Sequence, residues 1–257
     1  NYSGIAGTDA GNYSITAGSV DAALKAYTAP SGGGGGGGGA IIVPPTPAAS
    51  GHAAYMQGDD LGYFRPDANM TRAEAATVFY NILTDKSMGE EPAVFTDVNS
   101  GDWYAKAVTT LASKGILGGY EDGSFQPSKS ITRAEFVTIA SRLKGMSNGS
   151  AFFSDVPSTH WAYDYITSAA SKGWITGYPD GTFKPEANIV RAEVVTLVNR
   201  LLERVPDKKF IDKNIDDIKV LKDVKKAHWA YYYIIEATNG HDYSKDSKGN
   251  ETWERLK

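Results

Sequence analysis

Three arginines stand in one recurring setting: Arg72 and Arg133 each follow a threonine and precede Ala-Glu, and Arg191 follows Val190 in the same frame. Thr71 with Glu74 and Thr132 with Glu135 have capping-box spacing. Each arginine is therefore predicted at the first position of a helix, with the glutamates acting as caps rather than as catalytic groups. A cation there faces the positive helix end, where an acidic residue would be favoured by roughly 0.3–1 kcal/mol. Repeating an unfavourable choice three times points to a site that collects an anion through guanidinium, dipole and backbone N–H together. The competing reading is a salt bridge from each arginine to the aspartate of a neighbouring unit.

Trp103, Trp161 and Trp229 also recur. Each begins an apolar stripe, so packing into the core accounts for most of the ring, while an indole edge beside a groove can still stack on a sugar face. Asp97, Asp155 and Asp223 precede the same stripes and are expected to accept backbone hydrogen bonds in the entry loop. Other chemistry is thin. His52, His160, His228 and His241 show no metal-ligand spacing, and His160 and His228 simply repeat beside a tryptophan. Glu121-Asp122-Gly123 and Asp180-Gly181 lack the alternating ligands of a calcium loop. No nucleophile elbow, phosphate loop or dinucleotide fingerprint is present, and no carboxylate pair is singled out for glycan hydrolysis. Neither a metal nor a cofactor is expected.

The elements that position these residues are repeats. Phe95-Thr-Asp-Val, with Trp103 downstream, returns as Phe153-Ser-Asp-Val with Trp161. Gly119-Tyr-Glu-Asp-Gly-Ser-Phe-Gln-Pro127 returns as Gly177-Tyr-Pro-Asp-Gly-Thr-Phe-Lys-Pro185, at a period of roughly 58 residues. A third copy is divided between the ends. Its second half comes first, as Gly58 to Pro66 followed by Thr71-Arg-Ala-Glu74, and its first half comes last, as Leu221-Lys-Asp-Val with Trp229. Each unit reads as helix, turn, helix: Ala107 and Leu111, or Tyr165 and Ile166, share a helical face, and Gly115 and Gly173 supply C-terminal stops. A second stripe runs through Phe136, Ile139 and Leu143, or through Val194, Leu197 and Leu201. If the two halves meet, the result is a mainly α, pseudo-threefold domain.

The 257 residues carry 26 Lys and Arg against 30 Asp and Glu, a formal net charge of -4. That balance argues against a nucleic-acid partner. With no cysteine, disulfides and thiolate metal sites are excluded. No apolar run approaches the roughly 20 residues of a membrane span, so membrane insertion is not expected. Residues 1–30 are read as the extended or β tail of a preceding module, and the start of the natural polypeptide is taken to be missing. Residues 31–50, with glycine from Gly32 to Gly39 followed by Pro44, Pro45 and Pro47, are read as linker. The repeat boundaries are 51–93 for the second half of the split unit, then 94–150 and 151–204. Residues 205–257 hold a connection, the completing half-repeat and a charged tail.

The Phe-x-Asp-Val motif with its tryptophan, the Gly-Tyr-x-Asp-Gly-x-Phe-x-Pro loop and Thr-Arg-Ala-Glu together resemble S-layer homology domains over roughly residues 51–243. The resemblance implies a single chain of three helical repeats with grooves that bind secondary cell-wall polysaccharide, commonly carrying a pyruvate ketal. An extracellular anchor at the cell wall follows, with a structural surface-layer module that assembles with itself or with another surface protein as the alternative and enzymatic activity not expected. The polysaccharide site is expected at Arg72, Arg133, Arg191, Trp103, Trp161, Trp229, Asp97, Asp155, Asp223, Gly58, Gly119 and Gly177. Departures from the pattern are Val190 in place of threonine and Leu61 in place of the loop aspartate, so at least one groove is expected to be altered.

Overall fold

The computed structural model describes residues 51–88, 94–246 and 249–257. The expected tail at 1–30 and linker at 31–50 lie outside them. The described residues form two compact units, one of residues 70–188 and one of residues 51–69 with 189–257. Both are mainly helical.

The first unit holds α1 (Arg72–Ile82), α2 (Ala105–Ser113), α3 (Arg133–Lys144) and α4 (Tyr163–Ser171). Helices α1 and α3 start where the capping boxes place them. The Thr71 hydroxyl accepts from Glu74 N–H at 3.2 Å while the Glu74 carboxylate accepts from Thr71 N–H at 2.8 Å. Thr132 and Glu135 repeat the arrangement at 3.2 and 2.9 Å. Helices α2 and α4 end at Gly115 and Gly173, whose φ of 70° and 72° only glycine adopts freely. The following amides, Ile116 and Trp174, reach back to Leu111 and Ala169, a Schellman closure. Helix α1 packs on α2, and α3 on α4. The Phe79 and Phe136 rings lie 4.7 Å apart, both fully buried, and each such ring contributes about 1.5–3 kcal/mol.

The second unit holds β1 (Gly51–His52), α5 (Arg191–Leu201), α6 (Lys208–Lys213), α7 (Tyr231–Thr238), β2 (His241–Lys245) and β3 (Glu251–Leu256). Helix α5 begins at Arg191 without a hydroxyl cap, because Val190 has no side-chain oxygen. Only the reciprocal half survives, Val190 N–H donating to Glu193 at 3.1 Å. Helix α5 packs on α7. The strands form one antiparallel sheet in the order β1-β2-β3, pairing Gly51 with Asp242 and Tyr243 with Trp253. The charged tail expected after residue 243 is thus ordered strand: Glu251 and Trp253 face inward and are buried. The connection expected after residue 205 carries α6, capped by Asp207 on Phe210 N–H. Among the described residues no helix is long and apolar enough to cross a membrane.

Candidate functional site

In the first unit Arg72 and Arg133 make the same lock. The Arg72 Nε donates to the Phe125 carbonyl at 2.8 Å and Nη2 to the Gly118 carbonyl at 2.9 Å. Its guanidinium lies over both the Tyr120 and Phe125 rings, at 4.7 and 4.6 Å. Arg133 Nε donates to the Phe183 carbonyl at 2.8 Å, with Tyr178 and Phe183 at 4.9 and 4.7 Å. Both side chains are buried. Glu135 stands 3.5 Å from Arg72. Burial pushes the Glu135 carboxyl up, outweighing the downward pull of the Arg72 charge.

The aspartates hold the loops on which these arginines close. Asp97 accepts from Phe125 N–H and Gln126 N–H at 2.7 and 2.8 Å, and Asp155 from Phe183 N–H and Lys184 N–H at 2.8 and 2.7 Å. Gln126 and Lys184 have φ of 55° and 57°. Left-handed backbone costs a side-chain-bearing residue about 1–2 kcal/mol, and two charge-assisted bonds from one carboxylate offset that. The aspartates therefore serve a loop 28 or 29 residues downstream, not the entry loop. A Cβ on Gly119 would meet Phe95 at 2.5 Å and the Ser124 carbonyl at 2.5 Å, and one on Gly177 would meet Phe153 at 2.6 Å and the Thr182 carbonyl at 2.7 Å. These glycines let the ring of one motif close on the loop of the other.

In the second unit the same parts come from opposite ends of the chain. Asp223 accepts from Phe64 N–H and Arg65 N–H, both at 2.7 Å, across 159 and 158 residues of sequence. Arg65 has the left-handed φ of 57°, Leu221 takes the place of Phe95 and Phe153 against Gly58, and Lys222 N–H donates to Gly62. Arg191 Nε donates to the Phe64 carbonyl at 2.7 Å and Nη2 to the Gln57 carbonyl at 3.0 Å. Asp59 stands where the other loops have Tyr120 and Tyr178, so Arg191 lies over one ring of its loop, Phe64 at 4.8 Å, and keeps partial exposure. Asp59 also supplies what Leu61 cannot: it accepts from Tyr63 N–H at 2.9 Å, as Asp122 accepts from Ser124 and Asp180 from Thr182. The sequence reading missed Asp59; its signal was the Asp-Asp pair beside the substituted Leu61.

Two expectations change. The helix N-termini are not open anion sites. Arg72 N–H donates to the Lys129 carbonyl and Ala73 N–H to Pro127; Arg133 and Ala134 do the same to Ala187 and Pro185, and Arg191 and Ala192 to Ala68 and Pro66. The third amide is capped by threonine in α1 and α3 and meets the Val190 carbonyl in α5. The tryptophans, expected mostly in the core, are outside it: Trp103 is 66% and Trp229 59% exposed, with Trp161 between buried and exposed. Each precedes its helix instead of lying within its stripe. His160 and His228 stack on Trp161 and Trp229 at 5.8 and 5.6 Å. Their Nδ1 atoms accept from Ala162 N–H and Ala230 N–H, so Nε2 carries the proton toward Glu186 and Asp67.

A separate buried cluster joins His52 of β1, Glu236 of α7, His241 of β2 and Glu251 of β3, with potential ligand atoms within 4.8 Å of one another. Burial pulls His52 down to about 2 and His241 to about 4. Burial and, secondarily, the Glu251 charge push Glu236 up to about 8; burial raises Glu251 as well. No spacing rule finds this group, since 184 residues separate His52 from Glu236.

Residues 49–76, 94–137 and 152–195 match the S-layer homology domain. The chain is 38% identical over 209 residues to a cellulosome-anchoring protein of Acetivibrio thermocellus, covering 78% of this chain and 45% of that protein. It is 32% identical over 176 residues to a surface-layer 125 kDa protein of Lysinibacillus sphaericus, covering 66% and 15%. It is also 36% identical over 152 residues to an amylopullulanase of Thermoanaerobacterium thermosulfurigenes, covering 55% and 8%. The chain spans less than half the length of these curated relatives.

Proposed function

Because this chain is an S-layer homology domain protein of the cell surface, we propose that it anchors its parent polypeptide non-covalently to the wall by binding secondary cell-wall polysaccharide. The observation that carries this reading is the exposure of Trp103 and Trp229 at equivalent repeat positions. Leaving an indole in water forgoes about 1.5–3 kcal/mol of burial. A flat apolar face held rigidly at the surface is what the C–H face of a sugar ring stacks on. The stacked imidazoles of His160 and His228 stiffen two of the three indoles.

The buried arginines, the aspartates and the loop glycines build the frame that presents this surface. Arg191 is the arginine with exposure left for direct contact with an anionic substituent such as a pyruvate ketal. Ammonium groups add positive charge beside the loop tyrosines: Lys129 over Tyr120 at 5.2 Å, Lys184 over Tyr178 at 4.2 Å and Lys222 over Tyr63 at 5.5 Å. The relatives support a non-enzymatic role. Matching portions occur in proteins named for anchoring and for the surface layer and in one named amylopullulanase, of which the match covers 8%.

Sedimentation with purified cell walls tests the proposal. Binding should fall at least about tenfold in the Trp103→Ala, Trp161→Ala, Trp229→Ala triple variant and on walls stripped of pyruvate ketals. Undiminished binding by the triple variant would remove the stacking mechanism, and undiminished binding to stripped walls the anionic preference.

A further inference from the structure

We propose that His52, Glu236, His241 and Glu251 form a buried site for one divalent first-row transition-metal ion, zinc above all, that clamps the two ends of the split repeat together. The donor set is two imidazoles and two carboxylates on four different elements. Their side chains are sealed from solvent: those of Glu236, His241 and Glu251 are 0% exposed and that of His52 10%.

The hydrogen bonding leaves this cluster unfinished. His241 Nδ1 lies 3.1 Å from the Asn239 carbonyl, which only accepts, so the ring proton is on Nδ1 and the Nε2 lone pair points inward. That lone pair has no hydrogen-bond donor and faces Glu236 Oε1 at 3.6 Å. Two acceptors so placed require a cation between them, either a proton or a metal ion. Glu236 Oε2 and Glu251 Oε2 are likewise buried without a hydrogen-bond partner, while Glu251 Oε1 has the Lys245 ammonium 3.3 Å away. A histidine whose outer nitrogen donates to a backbone carbonyl is the usual way a metal ligand is oriented.

The spacing suits a small ion. His52 Nδ1 is 3.0 Å from Glu236 Oε1 and 3.7 Å from Glu251 Oε2. Zinc bonds of about 2.1 Å in a tetrahedron require donor separations of about 3.4 Å. These pairs bracket that value, and all four potential ligand atoms lie within 4.8 Å of one another. Calcium and magnesium, which want six or more oxygens, fit neither the imidazoles nor the dryness.

Two cations border the cluster, each also tied to a backbone carbonyl. Arg204 stands 4.0 Å from Glu236 but donates to the Ala53 carbonyl at 3.0 Å. Lys245 stands 3.3 Å from Glu251 and donates to the Glu203 carbonyl at 2.9 Å. The imidazoles are held by rings: His241 stacks on Trp253 at 3.6 Å and His52 lies tilted against Tyr243 at 4.1 Å. Loading would displace any proton that His52 shares with Glu236, so binding releases protons. Glu236, His241 and Glu251 all lie beyond the segments that match the S-layer homology domain.

The test uses the full 257-residue chain, without a histidine tag, stripped by chelator and titrated with zinc chloride by calorimetry and thermal melting. One ion per chain, a raised Tm and a Co2+ adduct with the visible absorption of a tetrahedral centre are expected. His241→Gln and Glu251→Gln should each weaken zinc binding more than about tenfold, while His160→Gln and His228→Gln leave it unchanged. Absence of zinc binding at 1:1, zinc binding unaltered in His241→Gln, or an equal Tm rise with calcium would each overturn the proposal. If the ligand variants do not fold, the Co2+ spectrum of the unaltered chain decides: tetrahedral bands sustain the site and their absence removes it.

Discussion

At the scale of single residues, the burial of Arg72 and Arg133 and the exposure of Trp103 and Trp229 run opposite to what type and spacing suggest. Arginine reads as the ligand-facing group and tryptophan as core, yet Arg72 is 1% exposed and Trp103 66%. The cause is that a guanidinium satisfies two carbonyls while its faces cover two aromatic rings, so it fills the centre of a loop better than an indole with one N–H could. Position was legible: all three arginines start their helices. The partners were not, because backbone carbonyls leave no trace in sequence. The prediction is a contrast. Arg72→Ala leaves Glu135 buried without its counter-charge and should destabilise the protein by about 3–5 kcal/mol, read as a lower denaturant midpoint. Trp103→Ala should leave that midpoint nearly unchanged and weaken only wall binding. Equal loss of stability in both would contradict this contrast.

Helix starts and helix stops were the most readable elements, because capping chemistry is local. The absence of a hydroxyl at residue 190 is the clearest instance, since α5 starts there with half a box. Restoring it is predicted to stabilise: Val190→Thr lets a hydroxyl meet the N–H of Glu193 and should add about 0.5–1 kcal/mol. Urea denaturation would register this as a higher midpoint at constant slope. Gly177→Ala should do the reverse. The added methyl meets the Phe153 ring and the Thr182 carbonyl, and backbone cannot yield as a side-chain tip does, so a loss of about 1–3 kcal/mol is expected. Strand β3 was illegible for a physical reason. Its inward positions are Glu251 and Trp253, and a glutamate where a hydrophobe should stand breaks the alternation that marks a half-buried strand.

For the molecule as a whole, the split repeat is the feature with the longest reach. Sequence self-similarity was enough to say that residues 221–240 complete the unit begun at Gly58, and the bonds from Asp223 to Phe64 and Arg65 realise it within the second unit. What self-similarity could not supply is the sheet that ties the ends, for β1 and β2 pair residues about as far apart in the chain as the domain allows. A circular permutant puts this to the test. Gly51 lies against the Lys257 side chain, and Lys257 N–H donates to the Gly240 carbonyl at 2.9 Å. A linker of about six Gly and Ser residues, spanning roughly 13 Å on average, is therefore ample to join residue 257 to residue 51. New ends fit in the loop between Val205 and Pro206. The permutant makes the divided repeat continuous and keeps its contacts, so its thermal unfolding should stay within about 5 °C of the same residues in natural order, with wall binding retained. Deleting residues 221–257 instead strips Phe64 and Arg65 of Asp223 and Gly58 of Leu221, and should abolish cooperative unfolding of the second unit. A permutant that fails to fold, or a deletion that melts like the intact chain, would mean that the two halves do not depend on each other.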